Sequence, residues 1–296
     1  ADGAVTPSLP RLGAARRHVA LATGADFMAM LRDGRAEAIS RDASASMPAA
    51  DSARGGLAPR QRVVLLIAGL LFGLAATAAP LTMLTLTPLI LSLFFLGTTV
   101  FQVGTCFEGL RPPEPPPEGD ARHLPPYSVL VPLHREDTIV PQLVAALDGL
   151  DYPREKLQIL LVVEEGDAIT QDAIRASAPP PHIRVFVAPD GAPRTKPRAL
   201  NAAMPFVTGS HVVVYDAEDR PAPDQLRRAA AIFARSPPEV ACLQARLVVD
   251  NVEDSHLSRF FAIEYAALFD VIKSGSARLG YPIPLGGTSN HFRGIR

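Results

Sequence analysis

From Val63 to Phe107 the chain contains no charged residue, a run of 45 residues. A helix rises about 1.5 Å per residue and the hydrocarbon core of a bilayer is about 30 Å thick, so the run is long enough to cross a membrane twice. Prolines and threonines interrupt its leucine-rich blocks between Ala79 and Pro88. The run therefore predicts a transmembrane hairpin with helices at Val63–Ala79 and Leu89–Phe107. The alternative is a buried hairpin of a soluble protein, but soluble cores rarely keep so long a run free of charge.

The charges beside the run indicate how it is oriented. Arg60 and Arg62 precede it and Arg111 follows it, whereas the predicted turn carries no charge. Because Lys and Arg are enriched on the cytoplasmic side of membrane helices, both ends are expected in the cytoplasm. This predicts a multi-pass protein of the cell inner membrane. Residues 1–62 are expected to form a cytoplasmic, partly disordered segment, helical around His18–Ile39 and loop-like from Arg41 to Pro59.

Composition excludes some classes of protein. The formal net charge is −1, and no stripe of basic residues interleaved with aromatic residues occurs, so a nucleic-acid partner is not expected. The two cysteines, Cys106 and Cys242, have no His or Cys neighbours at metal-ligand spacing and are expected to be reduced thiols. Residues 108–126 are rich in proline, which predicts an extended linker between the hairpin and a soluble domain.

Short apolar runs alternate with helical patterns after Pro126. The predicted strands are Tyr127–Leu133, Leu157–Val163, Ile183–Val187, His211–Tyr215 and Val240–Leu247. The predicted helices are Ile139–Leu150, Ala168–Ser177, Arg198–Val207 and Asp224–Arg235. This order indicates an α/β domain over residues 127–296, with a mostly parallel sheet covered by helices. In such sheets ligands bind beyond the carboxyl ends of the strands.

An acidic cluster follows the fourth predicted strand, where Asp216, Glu218 and Asp219 lie within four positions. Their mutual repulsion favours a bound cation, and Mg²⁺ or Mn²⁺ prefers carboxylate oxygens and shares its coordination shell with substrate phosphates. The alternative is a simple turn, because Pro221 and Pro223 follow and lead into the next helix.

A basic segment lies between the third and fourth predicted strands. A helix that opens near Pro197 would present free backbone N–H groups beside Lys196 and Arg198, an arrangement that suits an anion. Basic residues oppose the dipole at a helix start, which favours a functional role for them. Polar residues also follow the first two strands, but taken singly these are equally typical of helix caps.

Four motifs occur in a fixed order: Val131-Pro132-x-His134-x-Glu136, the pair Glu164-Glu165, Thr195-Lys196-Pro197-x-Ala199-Leu200-Asn201, and Tyr215-Asp216-Ala217-Glu218-Asp219. Together they closely resemble family 2 glycosyltransferases, particularly the membrane-bound, cellulose-synthase-like branch. The resemblance extends from about Tyr127 to Arg293. It implies a GT-A fold, which is a Rossmann-like, mixed and mostly parallel sheet domain.

The resemblance also implies an activity, the transfer of a sugar from a nucleotide-sugar donor, with a UDP-sugar favoured, to a polysaccharide or lipid-linked acceptor. Inversion at the anomeric carbon is implied as well. The residues that the resemblance assigns to the donor's base and ribose are Pro132, His134, Glu136 and Glu165. It places Lys196 and Asn201 beside the diphosphate, and it gives the metal, Mg²⁺ or Mn²⁺, to an Asp-x-Asp motif.

The match to Asp-x-Asp is Asp216-Ala217-Glu218, so either Glu218 or Asp219 would complete the metal site with Asp216. A small-residue segment with Gly287, Thr288 and Ser289 resembles the family's acceptor and donor-sugar region. Glycine there permits close backbone approach and the hydroxyls can bond to a sugar, although a plain turn would have the same composition.

Two family motifs have no counterpart in the sequence: the aspartate of a Thr-Glu-Asp-like motif, which is the general base, and a Gln-x-x-Arg-Trp-like motif for the acceptor. The chain contains no Trp. The base is therefore expected beyond Arg296, in a chain truncated at its C-terminus. A membrane-tethered nucleotide-binding or scaffolding module without catalysis is the alternative function.

Overall fold

The computed structural model describes residues 30–45, 48, 56–112 and 124–294. Most of the expected N-terminal segment and the centre of the proline-rich linker lie outside the described residues. The first helix, α1 (Ala36–Ala45), continues past Arg41 into a stretch that the sequence predicted as a loop. Its buried residues, Ile39 and Ala43, pack against the α/β domain, and this contact explains the additional helical turn.

The apolar run forms two helices, α2 over Pro59–Ala78 and α3 over Pro80–Gly109. The predicted turn is too long, because Ala79 alone separates the helices and Pro88 lies inside α3. Pro80 occupies the first turn of α3, where its missing N–H would have no helical partner. Both helices are long and apolar enough to cross a membrane, and their most apolar stretches have no residue buried in the protein.

In the described part of the chain, six strands form one mixed sheet: β1 Tyr127–Leu133, β2 Leu157–Glu164, β3 Ile183–Ala188, β4 His211–Val214, β5 Cys242–Gln244 and β6 Asn290–Arg293. Their order across the sheet is β3-β2-β1-β4-β6-β5. The strands β1 to β4 pair in parallel, whereas β6 is antiparallel to both of its neighbours. The carboxyl ends of β1, β2 and β4 therefore meet at one end of the sheet.

The sequence did not predict β6. It contains four residues, too few for a periodic pattern, and it pairs Val214 of β4 with Asn290. The predicted fifth strand shortens to Cys242–Gln244 because β5 has only β6 as a neighbour. Insertion of β6 beside β4 brings the small-residue segment before Asn290 next to the acidic cluster after Val214.

Helices cover both faces of the sheet: α4 Val140–Asp148, α5 Ala168–Ala176, α6 Lys196–Ala203 and α7 Gln225–Arg235. Residues of α4, α5 and α7 form one core with alternate β1 and β2 residues such as Val129 and Ile159. Residues of α6 and α1 form the second core with the opposite set, including Leu130 and Leu160. The helix expected over Arg198–Val207 starts two residues earlier and ends in a 3₁₀ turn, Met204–Phe206.

A long helical segment comes between β5 and β6. It consists of α8 (His256–Ala266), a π-helical part (Ala267–Lys273) and α9 (Ser274–Arg278). The π-helical part and α9 pack against the C-terminal end of α3. An ideal Cβ added to Gly275 would lie 1.8 Å from the carbonyl oxygen of Thr105, so only glycine permits this backbone approach.

Candidate active site

The acidic cluster after β4 is a hydrogen-bonded loop. The backbone N–H of Asp216 donates to Oδ2 of Asp219 at 2.8 Å and to the hydroxyl of Thr288 at 3.0 Å. That hydroxyl in turn donates to Oδ2 of Asp219. Burial raises the pKa of the Asp219 carboxyl above its ordinary value, although the hydrogen bonds from Thr288 and Asp216 oppose the increase. Asp219 therefore points into the loop and supports the backbone of Asp216.

Lys196, at the start of α6, reaches across to this loop. Its ammonium group forms an ion pair with Asp216 Oδ1 and donates to the carbonyl oxygen of Gly287 at 3.3 Å. The Lys196 side chain is 37% exposed and the Asp216 side chain is 28% exposed, so a ligand has access to both. Lys196, Asp216 and Gly287 thus lie together, although they belong to three separate segments that the sequence analysis identified.

Within the described ranges, no three His, Cys, Asp or Glu side chains converge as a cage for a metal ion. Mg²⁺ and Mn²⁺ sites in phosphate-handling enzymes commonly use one or two carboxylates and complete their shell with substrate phosphates and water. Asp216 is partly exposed and Glu218 is exposed, so this pair suits such a shared site. Asp219 is already engaged by two donors and fits it less well.

Gln244 of β5 holds the small-residue segment in place. Its side chain accepts a hydrogen bond from the N–H of Gly286 at 2.6 Å and donates to the carbonyl oxygen of Thr288 at 3.0 Å. Thr288 and Ser289 are both buried, whereas Gly287 is exposed. Sequence reasoning missed Gln244, because nothing in the predicted fifth strand distinguished it from a residue on the solvent side of an edge strand.

The loop after β1 is fixed by Asp167, another residue that sequence reasoning did not single out. Asp167 caps α5 through the N–H of Thr170 at 3.2 Å and also accepts from the N–H of Arg135 at 2.7 Å. Burial alone would raise the pKa of Asp167, but these hydrogen bonds lower it below its ordinary value. His134 Nδ1 lies 4.0 Å from the same carboxylate. An Asp before a helix, three residues ahead of a Thr, was the available signal.

Glu165 connects the end of β2 to the loop after β3. Its carboxylate accepts from the N–H of Asp190 at 3.2 Å, and its own N–H donates to Ala188. Asp190 pairs with Arg194 at 3.0 Å, and the hydrogen bond from Arg194 lowers the pKa of Asp190. His134 and Glu165 are exposed, while Pro132 and Glu136 are partly buried. All four lie at or just beyond the carboxyl ends of β1 and β2.

Asn201 is not brought into this group. Its amide donates to the carbonyl oxygen of Ala43 on α1 at 3.0 Å. It lies five positions after Lys196, which rotates it by about 140° around the helix axis. The side chain of Asn201 joins α6 to α1, and its predicted contact with the donor diphosphate stays a prediction.

Comparison with known proteins assigns the sequence that forms this site to a family. Residues 125–289 match the model of the family described as glycosyltransferase like family 2, which is more than half of the 296-residue chain. The matched region begins just before β1 and ends with Ser289, so it includes every element of the site described above.

Two individual relatives are consistent with this family match. A probable glycosyltransferase, YdaM, from Bacillus subtilis is 31% identical over 102 residues, which cover 34% of this chain and 24% of that protein. A beta-monoglucosyldiacylglycerol synthase from Trichormus variabilis is 25% identical over 170 residues, 55% of this chain and 35% of the synthase. The chain thus spans about a third or less of the length of these relatives.

Among solved structures, the mannosyltransferase PcManGT from Pyrobaculum calidifontis, in complex with GDP-Man and Mn²⁺, is 25% identical with a TM-score of 0.45. That match covers 56% of this chain and 48% of the mannosyltransferase. From the extent of the family match, together with the mixed α/β sheet and the site at its carboxyl ends, the chain belongs to the family described as glycosyltransferase like family 2.

Proposed function

We propose that this protein transfers a sugar, with inversion at the anomeric carbon, from a nucleotide-sugar donor to a polysaccharide or lipid-linked acceptor. The observation that carries the proposal is the convergence of Lys196, Asp216 and Gly287 beyond the carboxyl end of β4. A UDP-sugar is the favoured donor. On this proposal the protein is a member of the membrane-bound, cellulose-synthase-like branch of its family.

The base and ribose of the donor bind at the ends of β1 and β2, against Pro132, His134, Glu136 and Glu165. The support is positional, because these residues lie around a loop that Asp167 holds rigid. Exposed groups on an ordered loop can bind a ligand without a large loss of conformational entropy.

The diphosphate binds at the ends of α6 and β4. Lys196 supplies a positive charge there, and Asp216 with Glu218 would hold Mg²⁺ or Mn²⁺. A metal ion in that place neutralises charge on the leaving nucleoside diphosphate. Asp219 serves the site indirectly, through its hydrogen bond from the Asp216 backbone.

The sugar and the acceptor lie beside Gly287, Thr288 and Ser289. Gly287 is the exposed member of the three, so its backbone is the surface that a sugar would approach. The hydroxyl of Thr288 already bonds to Asp219, and its role is to connect the sugar region with the metal-binding loop. We assign the general base to no residue of this chain.

The location of the enzyme is the cell inner membrane, with the α/β domain in the cytoplasm. The helices α2 and α3 contain 20 and 30 residues, and no residue in their most apolar stretches is buried, which supports a membrane hairpin. The arginines at their outer ends, Arg60, Arg62 and Arg111, support the cytoplasmic orientation. A membrane location also suits a lipid-linked acceptor, and the name of the related monoglucosyldiacylglycerol synthase supports that acceptor class.

Calorimetric titration of the full chain in detergent with UDP tests the donor site. We expect binding with Mn²⁺ or Mg²⁺ and much weaker binding with a chelator, because a metal held by Asp216 and Glu218 would strengthen the binding of a diphosphate. Asp216→Asn should remove the metal dependence. Asp172→Asn, at an exposed position on α5, is the matched control and should bind like the unmodified protein.

Metal-independent UDP binding that Asp216→Asn leaves unchanged would overturn the assignment of the diphosphate site. The transfer reaction itself is tested by incubating membranes that contain the protein with labelled UDP-sugars and separating the products. Incorporation of label that depends on Asp216 supports the enzyme.

A further inference from the structure

Among the residues that the structure describes, helix α8 contacts mainly the π-helical part that follows it. None of its side chains is buried, although the eleven residues include two phenylalanines, a leucine, an isoleucine and a tyrosine. Leu257, Phe260 and Ile263 are 64%, 71% and 66% exposed. An isolated helix of this length is not stable in water by itself. An apolar environment is therefore expected to cover the exposed apolar side chains of α8.

The apolar residues of α8 are concentrated on one side. At 3.6 residues per turn, Leu257, Phe260 and Phe261 lie within an arc of about 100°, and Ile263 and Tyr265 widen the arc of large apolar side chains to about 200°. Ala262 and Ala266 lie on the opposite side. Such a distribution is typical of a helix that lies along a surface, with one side in an apolar medium and the other in water.

The rest of the same helical segment is attached to the end of the candidate membrane helix α3. The backbone of Gly109 approaches Val271 so closely that an added Cβ would lie 2.0 Å from the Val271 carbonyl oxygen. The ring of Tyr281 contacts Phe101 edge to face, with the centroids 4.9 Å apart. The guanidinium group of Arg278 donates to the carbonyl oxygen of Arg111 at 3.0 Å. These contacts fix the segment at the level where α3 ends.

We infer that α8 is a membrane-surface helix whose Leu257, Phe260 and Phe261 side chains insert into the lipid bilayer beside the hairpin. The inference rests on the proposed membrane location of α2 and α3, and it adds a second attachment of the catalytic domain. Its ground is continuity: α8 extends the segment that packs on α3, and large apolar side chains are exposed on both helices.

Glu264 falls within the apolar arc, and its carboxylate has no hydrogen bond or ion pair among the residues that the structure describes. Helices at a bilayer surface insert their apolar side by only about 5–10 Å, so a carboxylate on that side remains within reach of the hydrated headgroups. A charge in that position limits the depth of insertion. Removal of the charge should therefore let the helix insert more deeply.

The test uses the full chain in phosphatidylcholine nanodiscs, with both native cysteines replaced by serine. Single cysteines at Leu257 and Phe261 carry a fluorophore, and matched controls carry it at Ala262 and Ala266. Brominated lipids then quench the label by contact. We expect at least twofold more quenching at the first pair than at the controls, and Glu264→Gln should increase quenching at Leu257.

A label at Leu91 within α3 separates the two proposals. Quenching at Leu91 with weak and equal quenching at all four α8 positions would overturn the inference and leave the membrane hairpin intact. Absence of quenching at Leu91 as well would overturn both. Strong and equal quenching at the four positions would place α8 inside the hydrocarbon core and also overturn its location at the surface. A decrease of quenching in Glu264→Gln would contradict the assigned orientation.

Discussion

The hydroxyl of Thr288 donates a hydrogen bond to the carboxylate of Asp219, which joins two loops that are 69 residues apart in the chain. Because the same hydroxyl accepts from the N–H of Asp216, one side chain connects the sugar region to the proposed metal ligand. The site depends on this connection, since the position of the Asp216 backbone determines where its carboxylate lies.

Replacement of Thr288 by Val keeps its shape and removes both hydrogen bonds. The carboxylate of Asp219 and the N–H of Asp216 would each lose a partner, at a cost of about 1–3 kcal/mol in unfolding free energy. Affinity for UDP in the presence of Mn²⁺ should also fall. Thr288→Ser retains the hydroxyl and is the control. Denaturant unfolding and calorimetry measure the two effects, and a Val variant that matches the Ser variant in both would contradict the role.

Lys196→Ala should weaken the binding of UDP more than that of uridine, because the proposed function gives the ammonium group a contact with phosphate and none with the base. A hydrogen bond to a charged group contributes roughly 1.5–3 kcal/mol, which predicts a loss of about tenfold or more in UDP affinity. Arg194→Ala is the matched control, since Arg194 lies two residues away and its guanidinium is paired with Asp190. Equal losses for UDP and uridine would make Lys196 a structural residue.

Asp167 predicts a specific pH dependence of stability. Its pKa is lowered in the folded protein, so its contribution is fully present above the pKa of the unfolded chain, about 3.9, and is lost as the pH falls through the lower folded value. Asp167→Asn should be less stable at pH 7. It should also lose less stability than the unmodified protein between pH 5 and pH 2.

Thermal unfolding across that pH range measures the difference, with Asp172→Asn as the control. Asp172 lies on the same helix with 69% of its side chain exposed, and its ion pair with Arg175 is a surface pair that contributes little. Parallel pH profiles for the unmodified protein and Asp167→Asn would show that the buried carboxylate is not responsible.

The sequence predicted the order of elements and the end of the sheet where the motifs meet, because alternating strands and helices restrict the topology to a few possibilities. The places of Lys196 and Asp216 followed from that topology. It could not reveal β6, whose four residues depend on pairing with β4 and β5. Nor could it reveal that Asn201 faces α1, because that contact joins residues 158 positions apart.

Pro88 illustrates a second limit of prediction. Two prolines and three threonines in ten residues are typical of a turn in water, where an exposed backbone is solvated. In the structure Thr85 donates its hydroxyl to the carbonyl oxygen of Thr82 at 2.9 Å, and the chain remains helical through Pro88. Proline is tolerated inside membrane-spanning helices, so the composition of this stretch did not distinguish a turn from a continuous helix.

The shortened turn sharpens the test of the membrane hairpin. Only Ala79 separates α2 from α3, so a reporter inserted there lies at the tip of the hairpin, while one at Pro126 lies at the start of β1. Arginines flank the outer ends of the pair and none lies near the tip, so the tip should be outside and Pro126 in the cytoplasm. Alkaline phosphatase, active only outside, should therefore be active at Ala79 and inactive at Pro126, and green fluorescent protein should give the opposite pattern.

A fusion after Arg62 is the control for the first helix and should behave like the one at Pro126. Cytoplasmic signals from all three positions would remove the hairpin, and with it the membrane location of the enzyme, while leaving the nucleotide site to be judged by its own titrations.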